Sequence, residues 1–236
     1  MVLPAELIDH IFSFLQTDFP SLKACSKAHP LLSRLAERHL YAHVVIDQRA
    51  PEVCNDILQN PRFLDYPRAL EMRPHLYTKK QLAIPFLLVI PRMANVVSLK
   101  ICHPCPSYKK FDFFSTLGIC LQQSSIQELH FFNIYDIPFS FLDDARNIKQ
   151  LTLSDCTALD DPISGSPSSQ LCLETLVLSG RFNPRLHRWA TRWVTRLTTL
   201  ELQDMLNRDW SAFPELLVAC SNSLTRLCLD ISNPRM

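Results

Sequence analysis

The sequence has almost no glycine. Its three, Gly118, Gly165 and Gly180, stand too far apart in 236 residues to build a phosphate-cradling loop. No G-x-S-x-G elbow occurs, so the local geometry that exposes a nucleophilic serine is missing. Charge of one sign is also lacking: 24 basic against 23 acidic residues leave a net charge of +1, which supplies no global field for nucleic acid or an anionic membrane. The longest apolar run, 83–90, is interrupted by Pro85 and falls well short of the roughly 18 to 20 residues of a membrane span. No basic segment precedes the first apolar residues and no small-residue cleavage site follows them, so no secretory signal is expected. These absences lead us to expect a soluble intracellular protein, in cytoplasm or nucleus, with neither nucleic acid nor membrane as partner.

What is present begins with nine cysteines, an odd number scattered through apolar stretches, which fits reduced and mostly buried thiols. The most metal-like cluster is Cys102-His103-Pro104-Cys105, where two thiolates can share one zinc ion. A structural zinc site takes four ligands, no second close pair follows, and Cys120 and His130 join only if the fold brings them there. A thiol-bearing turn after a strand is the better reading. No metal, cofactor or catalytic residue is expected, and the chain is not expected to be an enzyme.

The first fifty residues carry three short helical patterns. Pro4 suits a first helical position and Glu6 complements the positive helix start. On a helical wheel the apolar sector of this segment runs from Phe14 through Leu7, Ile11, Leu15 and Ile8 to Phe12, about 160° against the roughly 100° that one core requires. Such a helix is expected to have two apolar partners. Asp18 can cap a second helix whose Leu22 and Cys25 face inward, and after Pro30 a third carries Leu31, Leu32, Leu35, Ala36, Leu40 and Tyr41.

Leu3-Pro4-Ala5-Glu6-Leu7, then Ile11 and Leu15, Leu22, Cys25-Ser26-Lys27, and Leu32 with Leu35-Ala36 resemble the F-box pattern across about the first 45 residues. Where that family often carries Trp after the Ser-Lys pair, this chain has Ala28-His29-Pro30. The resemblance implies a module, residues 1–42, that docks onto the Skp-type adaptor of a cullin–RING ubiquitin ligase. It implies Leu3, Pro4, Leu7, Ile8, Ile11 and Leu15 as docking residues, some of them shared with the internal core. An ordinary helical cap over the next element is the alternative.

From residue 66 onward an apolar residue is followed two positions later by another: Leu70 and Met72, Leu99 and Ile101, Leu129 and Phe131, Leu151 and Leu153, Leu176 and Leu178, Leu200 and Leu202, Leu227 and Leu229. Period-two alternation puts each pair on one face of a short strand. The first positions are separated by 29, 30, 22, 25, 24 and 27 residues, close to the roughly 20 to 29 of leucine-rich repeats. Helical patterns intervene at 51–60, 79–90, 112–123, 184–194 and 208–221, and 158–170 reads as a loop in place of a helix. The fold class expected is therefore α/β: a three-helix F-box-like module, then, over residues 43–236, a solenoid of short parallel strands resembling the irregular leucine-rich repeats that often follow an F-box. The Asn or Cys ladder expected three positions after the second strand residue is represented only by Cys156.

One surface feature stands out in 184–194. Trp189, Ala190, Trp193, Val194 and Leu197 share an apolar face, while Arg185, Arg188, Arg192 and Arg196 share one edge of about 80°. No acidic residue lies between Gly180 and Leu200. The stripe suits an acidic or phosphorylated target peptide; the alternative is a solvated helix face. The function expected is that of a substrate-recognition adaptor of an SCF-type ligase with an unknown target protein, the alternative being a repeat scaffold unconnected to ubiquitin.

Overall fold

The structure is a computed structural model that describes residues 3–47, 55, 57–73, 87, 89–102, 113–143, 145–159, 171–180, 190–191, 193–204 and 213–230. Three helices open it: α1, Ala5–Phe14; α2, Phe19–Ala28; and α3, Pro30–Leu40. Asp18 accepts the Ser21 N–H at 3.2 Å and so caps α2, while His29 Nδ1 accepts the Leu31 N–H at 3.2 Å and caps α3, with Pro30 opening the helix. The three pack around Phe12, Leu22, Leu35 and Ala36, with Ala5, Ile8, Leu15, Cys25, Leu32 and Leu40 half-buried around them.

Two residues after α3 the chain enters an eight-stranded parallel sheet whose strands lie in sequence order. They are β1, His43–Ile46; β2, Ala69–Met72; β3, Ser98–Cys102; β4, Glu128–Phe132; β5, Gln150–Ser154; β6, Thr175–Ser179; β7, Thr199–Gln203; and β8, Arg226–Asp230. Each of the seven apolar pairs lies in a strand, and the first marked residues pair in register: Leu70 with Leu99, Leu129, Leu151, Leu176, Leu200 and Leu227 in succession. β1 extends the series by one, since Val44 pairs with Leu70 and Ile46 with Met72. Its β-branched residues keep the alternation but not the leucines, which is why the phrase does not reveal it.

The marked residues of β2 to β7 face a single core that also takes Trp193, Phe139, Leu117 and Leu121. The helices α4, Phe113–Gln123, and α5, Phe213–Cys220, realise two of the predicted intervals. The intervals 51–60, 79–90 and 184–194 are only partly described, and what is described of them includes helical turns; 160–170 of the predicted loop lies outside the described residues. Gly118 brings α4 within contact of the 3-10 turn Phe139–Leu142, where a Cβ would lie 3.2 Å from the Phe141 carbonyl oxygen. In β8 the pattern continues but the cover does not: Leu227 and Leu229 are 42% and 45% exposed.

Backbone ladders explain why intervals of 22 to 30 residues still stack in register. At each step one carbonyl accepts two consecutive N–H groups of the next strand: Ala42 from Arg68 and Ala69, Arg68 from Val97 and Ser98, Val97 from Gln127 and Glu128, and so on to Thr198 from Thr225 and Arg226. Beside this runs a side-chain ladder four positions before the marked leucine. Asn95 donates to the Asp65 carbonyl at 2.7 Å, Ser125 to Val96 at 2.7 Å, Asn147 to Ser124 at 2.9 Å and Ser223 to Val194 at 3.5 Å. The ladder missing after the strands is thus present before them, in mixed residue types. Cys156 is a rung of the expected kind, its thiol donating to the Phe131 carbonyl at 3.5 Å. The exits of β4 to β7 are alike too: Asn133, Asp155, Gly180 and Asp204, each one residue past its strand, have φ of 54°, 51°, 78° and 53°. These residue types tolerate the left-handed region best.

Candidate functional site

The apolar sector of α1 divides along its length. Phe12 is buried, and Ile8 and Leu15 pack against the helical core. Leu3, Leu7, Ile11 and Phe14 on the other side are 52%, 50%, 49% and 73% exposed. Of the six predicted docking residues, Leu3, Pro4, Leu7 and Ile11 therefore lie on the open face, while Ile8 and Leu15 serve the internal core. Phe14, Phe19 and Leu31, also exposed, extend the open apolar surface beyond the predicted set. The excess width of the sequence pattern was the signal for this surface, and Phe14 was already at its edge.

A second surface is the face of the sheet turned away from the core. Its N-terminal half is charged. Glu71, 5% exposed at its side chain, accepts from Arg73 through both oxygens, Nε to Oε1 at 2.9 Å and Nη2 to Oε2 at 2.9 Å. Lys100, directly opposite on β3, lies 3.1 Å from Oε1, and His43 Nε2 lies 3.6 Å from Oε2. The Arg73 hydrogen bonds, helped by Lys100, outweigh burial and hold the carboxyl down at about 2. Lys100 also sits 4.7 Å over the Phe132 ring. Burial pushes the His130 pKa down, although Glu128 Oε2 lies 3.8 Å away. The middle of the face is lined by hydroxyls and amides, with Gln150, Thr152 and Ser154 beside Thr175 and Ser179, then Thr199 and Gln203. This surface can hydrogen-bond to another protein but has no unbalanced field.

The cysteines of the metal-like cluster fare differently. Cys105 lies outside the described residues. Cys102 is half-buried, and its thiol donates to Glu71 Oε1 at 3.5 Å. Burial above all, and then the carboxylate, raises its pKa. Cys120 sits in the core and His130 on the opposite face of the sheet, so the fold does not bring them together. Burial pushes Cys120 and Cys156 up to about 12. Among the described residues no group of three or more His, Cys, Asp or Glu is placed to hold a metal ion. Of the arginine stripe, Arg185, Arg188 and Arg192 lie outside the described residues. Arg196 is exposed, and its Nη1 donates to Cys172 Sγ at 3.2 Å, continuing the ladder before β7.

No protein-family model matches the chain, and no curated protein matches it in sequence. Among the described residues no helix is long and apolar enough to cross a membrane.

Proposed function

We propose that the chain is a substrate-recognition adaptor of an SCF-type cullin–RING ubiquitin ligase. In this reading α1 to α3 form an F-box module whose open α1 face docks on a Skp-type adaptor, and the sheet with its connecting segments is an irregular leucine-rich-repeat solenoid that holds a target protein. The observation that carries it is the division of α1: one apolar side is spent on the helical core, and a second, with Leu3, Leu7, Ile11 and Phe14, faces outward. An exposed apolar patch of this kind, next to a module with its own core, marks a protein interface. The adaptor does no bond chemistry. It raises the effective concentration of target lysines near a ubiquitin-charged enzyme, with an apolar anchor at one end and a broad hydrogen-bonding face at the other.

A second reading, a repeat scaffold with a helical cap and no link to ubiquitin, is favoured by one contact region. Tyr41, Phe63 and Tyr66 stack between α3 and the segment before β2, with ring centroids 5.0 to 6.5 Å apart, as a cap packs on its first repeat. Co-purification separates the two. The full chain should retain a Skp-type adaptor through affinity purification, and Leu7→Asp with Ile11→Asp should lose it while far-UV circular dichroism stays unchanged. Undiminished capture by the folded double variant defeats the adaptor reading.

A further inference from the structure

Between the helical module and the first strands lies a cleft of 1150 Å³, which no step of the adaptor mechanism uses. Four arginines line it: Arg34 and Arg38 from α3, Arg62 from the turn before β2, and Arg68 at the entry to β2. Arg34 and Arg38 are one helical turn apart and so project from one face of α3. Arg68 is fixed at the backbone, its N–H donating to Ala42 and its carbonyl accepting from Val97 and Ser98. Among the described residues Arg34, Arg38 and Arg68 make no ion pair, and all three are exposed. Arg62 is partly engaged, 5.0 Å over the Phe63 ring and 4.0 Å from Glu37 Oε2, the latter too far for a hydrogen bond. The acids of the cleft do not balance this. Asp9 is bound to His39 Nε2 at 3.0 Å, and Asp65 is the other carboxylate in the lining.

We propose that this cleft binds a phosphorylated peptide segment, with Arg34, Arg38 and Arg68 gripping the phosphate. A phosphate monoester brings a charge of about −1.5 to −2 and three acceptor oxygens, which matches three guanidiniums with free donors better than a single carboxylate does. The rest of the wall explains why the ligand is a peptide. Phe19, 52% exposed, with Tyr66, Ala42 and Ala69, offers apolar contact to flanking side chains. A compact polyanion would leave that surface unused and would meet Asp9 and Asp65 unfavourably. The inference stands independently of the adaptor reading, because none of the three arginines belongs to α1 or its open apolar face.

The test uses the full chain on an array of varied 15-residue peptides, each made with a central phosphoserine, serine or glutamate, followed by fluorescence anisotropy on the best phosphorylated sequence. Phosphoserine should improve binding by at least about tenfold over serine and clearly over glutamate. Arg34→Ala with Arg38→Ala should lower the affinity on the order of a hundredfold. Arg34→Lys with Arg38→Lys should restore part of it, since charge returns without the fork, and Arg146→Ala, on a remote exposed arginine, should change nothing. Circular dichroism melts establish that each variant is folded. The proposal falls if no peptide prefers phosphoserine, if glutamate serves as well, or if the preference survives Arg34→Ala with Arg38→Ala. It also falls if the same arginines instead capture a single-stranded RNA pool or phosphoinositide vesicles in preference to the peptides.

Discussion

Replacing Glu71 by Gln tests the electrostatics of the sheet's outer face. The carboxylate is nearly buried at its side chain and has two cations against it, so its loss removes a charged network and leaves Arg73 and Lys100 without their counter-ion. A carboxyl lowered from 4.5 to about 2 holds at most about 3 kcal/mol of pH-dependent stability. The Arg73 and Lys100 side chains are 56% and 38% exposed, and screening by water reduces the figure to about 1–2 kcal/mol. Because the folded-state pKa is lowered, this stability is complete above 4.5 and drains away as the pH falls toward 2. Urea unfolding followed by far-UV circular dichroism at several pH values measures it. The variant should be about 1–2 kcal/mol less stable than the parent at pH 7, and the gap should shrink by about half or more by pH 3. A gap that is the same at both pH values, or absent at pH 7, refutes the account of Glu71 as a paired carboxylate.

Two further outcomes follow from burial and backbone. Phe12→Ala should cost about 3–5 kcal/mol of the helical module's stability, whereas Leu7→Ala, on the open side of the same helix, should cost under about 0.5 kcal/mol; thermal melts that rank them equally contradict the division of α1. Gly180→Ala places a Cβ against the Asp155 carboxylate at a φ of +78°, so it should destabilise by about 1–2 kcal/mol, measured by urea titration. A neutral result means that the left-handed exit of β6 is not required.

Much of this architecture was legible because a parallel sheet with one covered face writes its core residues two apart. Leu70, Leu99, Leu129 and their successors announced seven strands, and the eighth was hidden only because Val44 and Ile46 replaced leucine. The side-chain ladder was illegible for a different reason. Asn95, Ser125, Asn147, Arg196 and Ser223 satisfy backbone or thiol acceptors in the preceding unit, a task that several residue types perform. The strand exits did leave a trace: the position four after the marked leucine is Asn133, Asp155, Gly180 and Asp204 in turn, all tolerant of positive φ. Neither the Glu71 network nor the arginine cleft is local in sequence. Lys100 meets Glu71 only through strand pairing, and Arg68 joins Arg34 and Arg38 only through the packing of α3 beside β2. The width of α1's apolar sector, by contrast, was readable directly, because helical geometry alone fixes which residues share a side.

The joint between α3 and β1 is only Tyr41 and Ala42, with no glycine, and the Ala42 carbonyl already carries the first rung of the backbone ladder. Such a joint is short and lacks the backbone freedom that glycine would give. Seven strand spacings of about 4.8 Å put β8 roughly 34 Å from β1, so a tilt of about 10° at Tyr41 would swing the far strand by about 6 Å. On the proposed docking, the partner that grips the first helix would also set where anything held at the distant end is aimed.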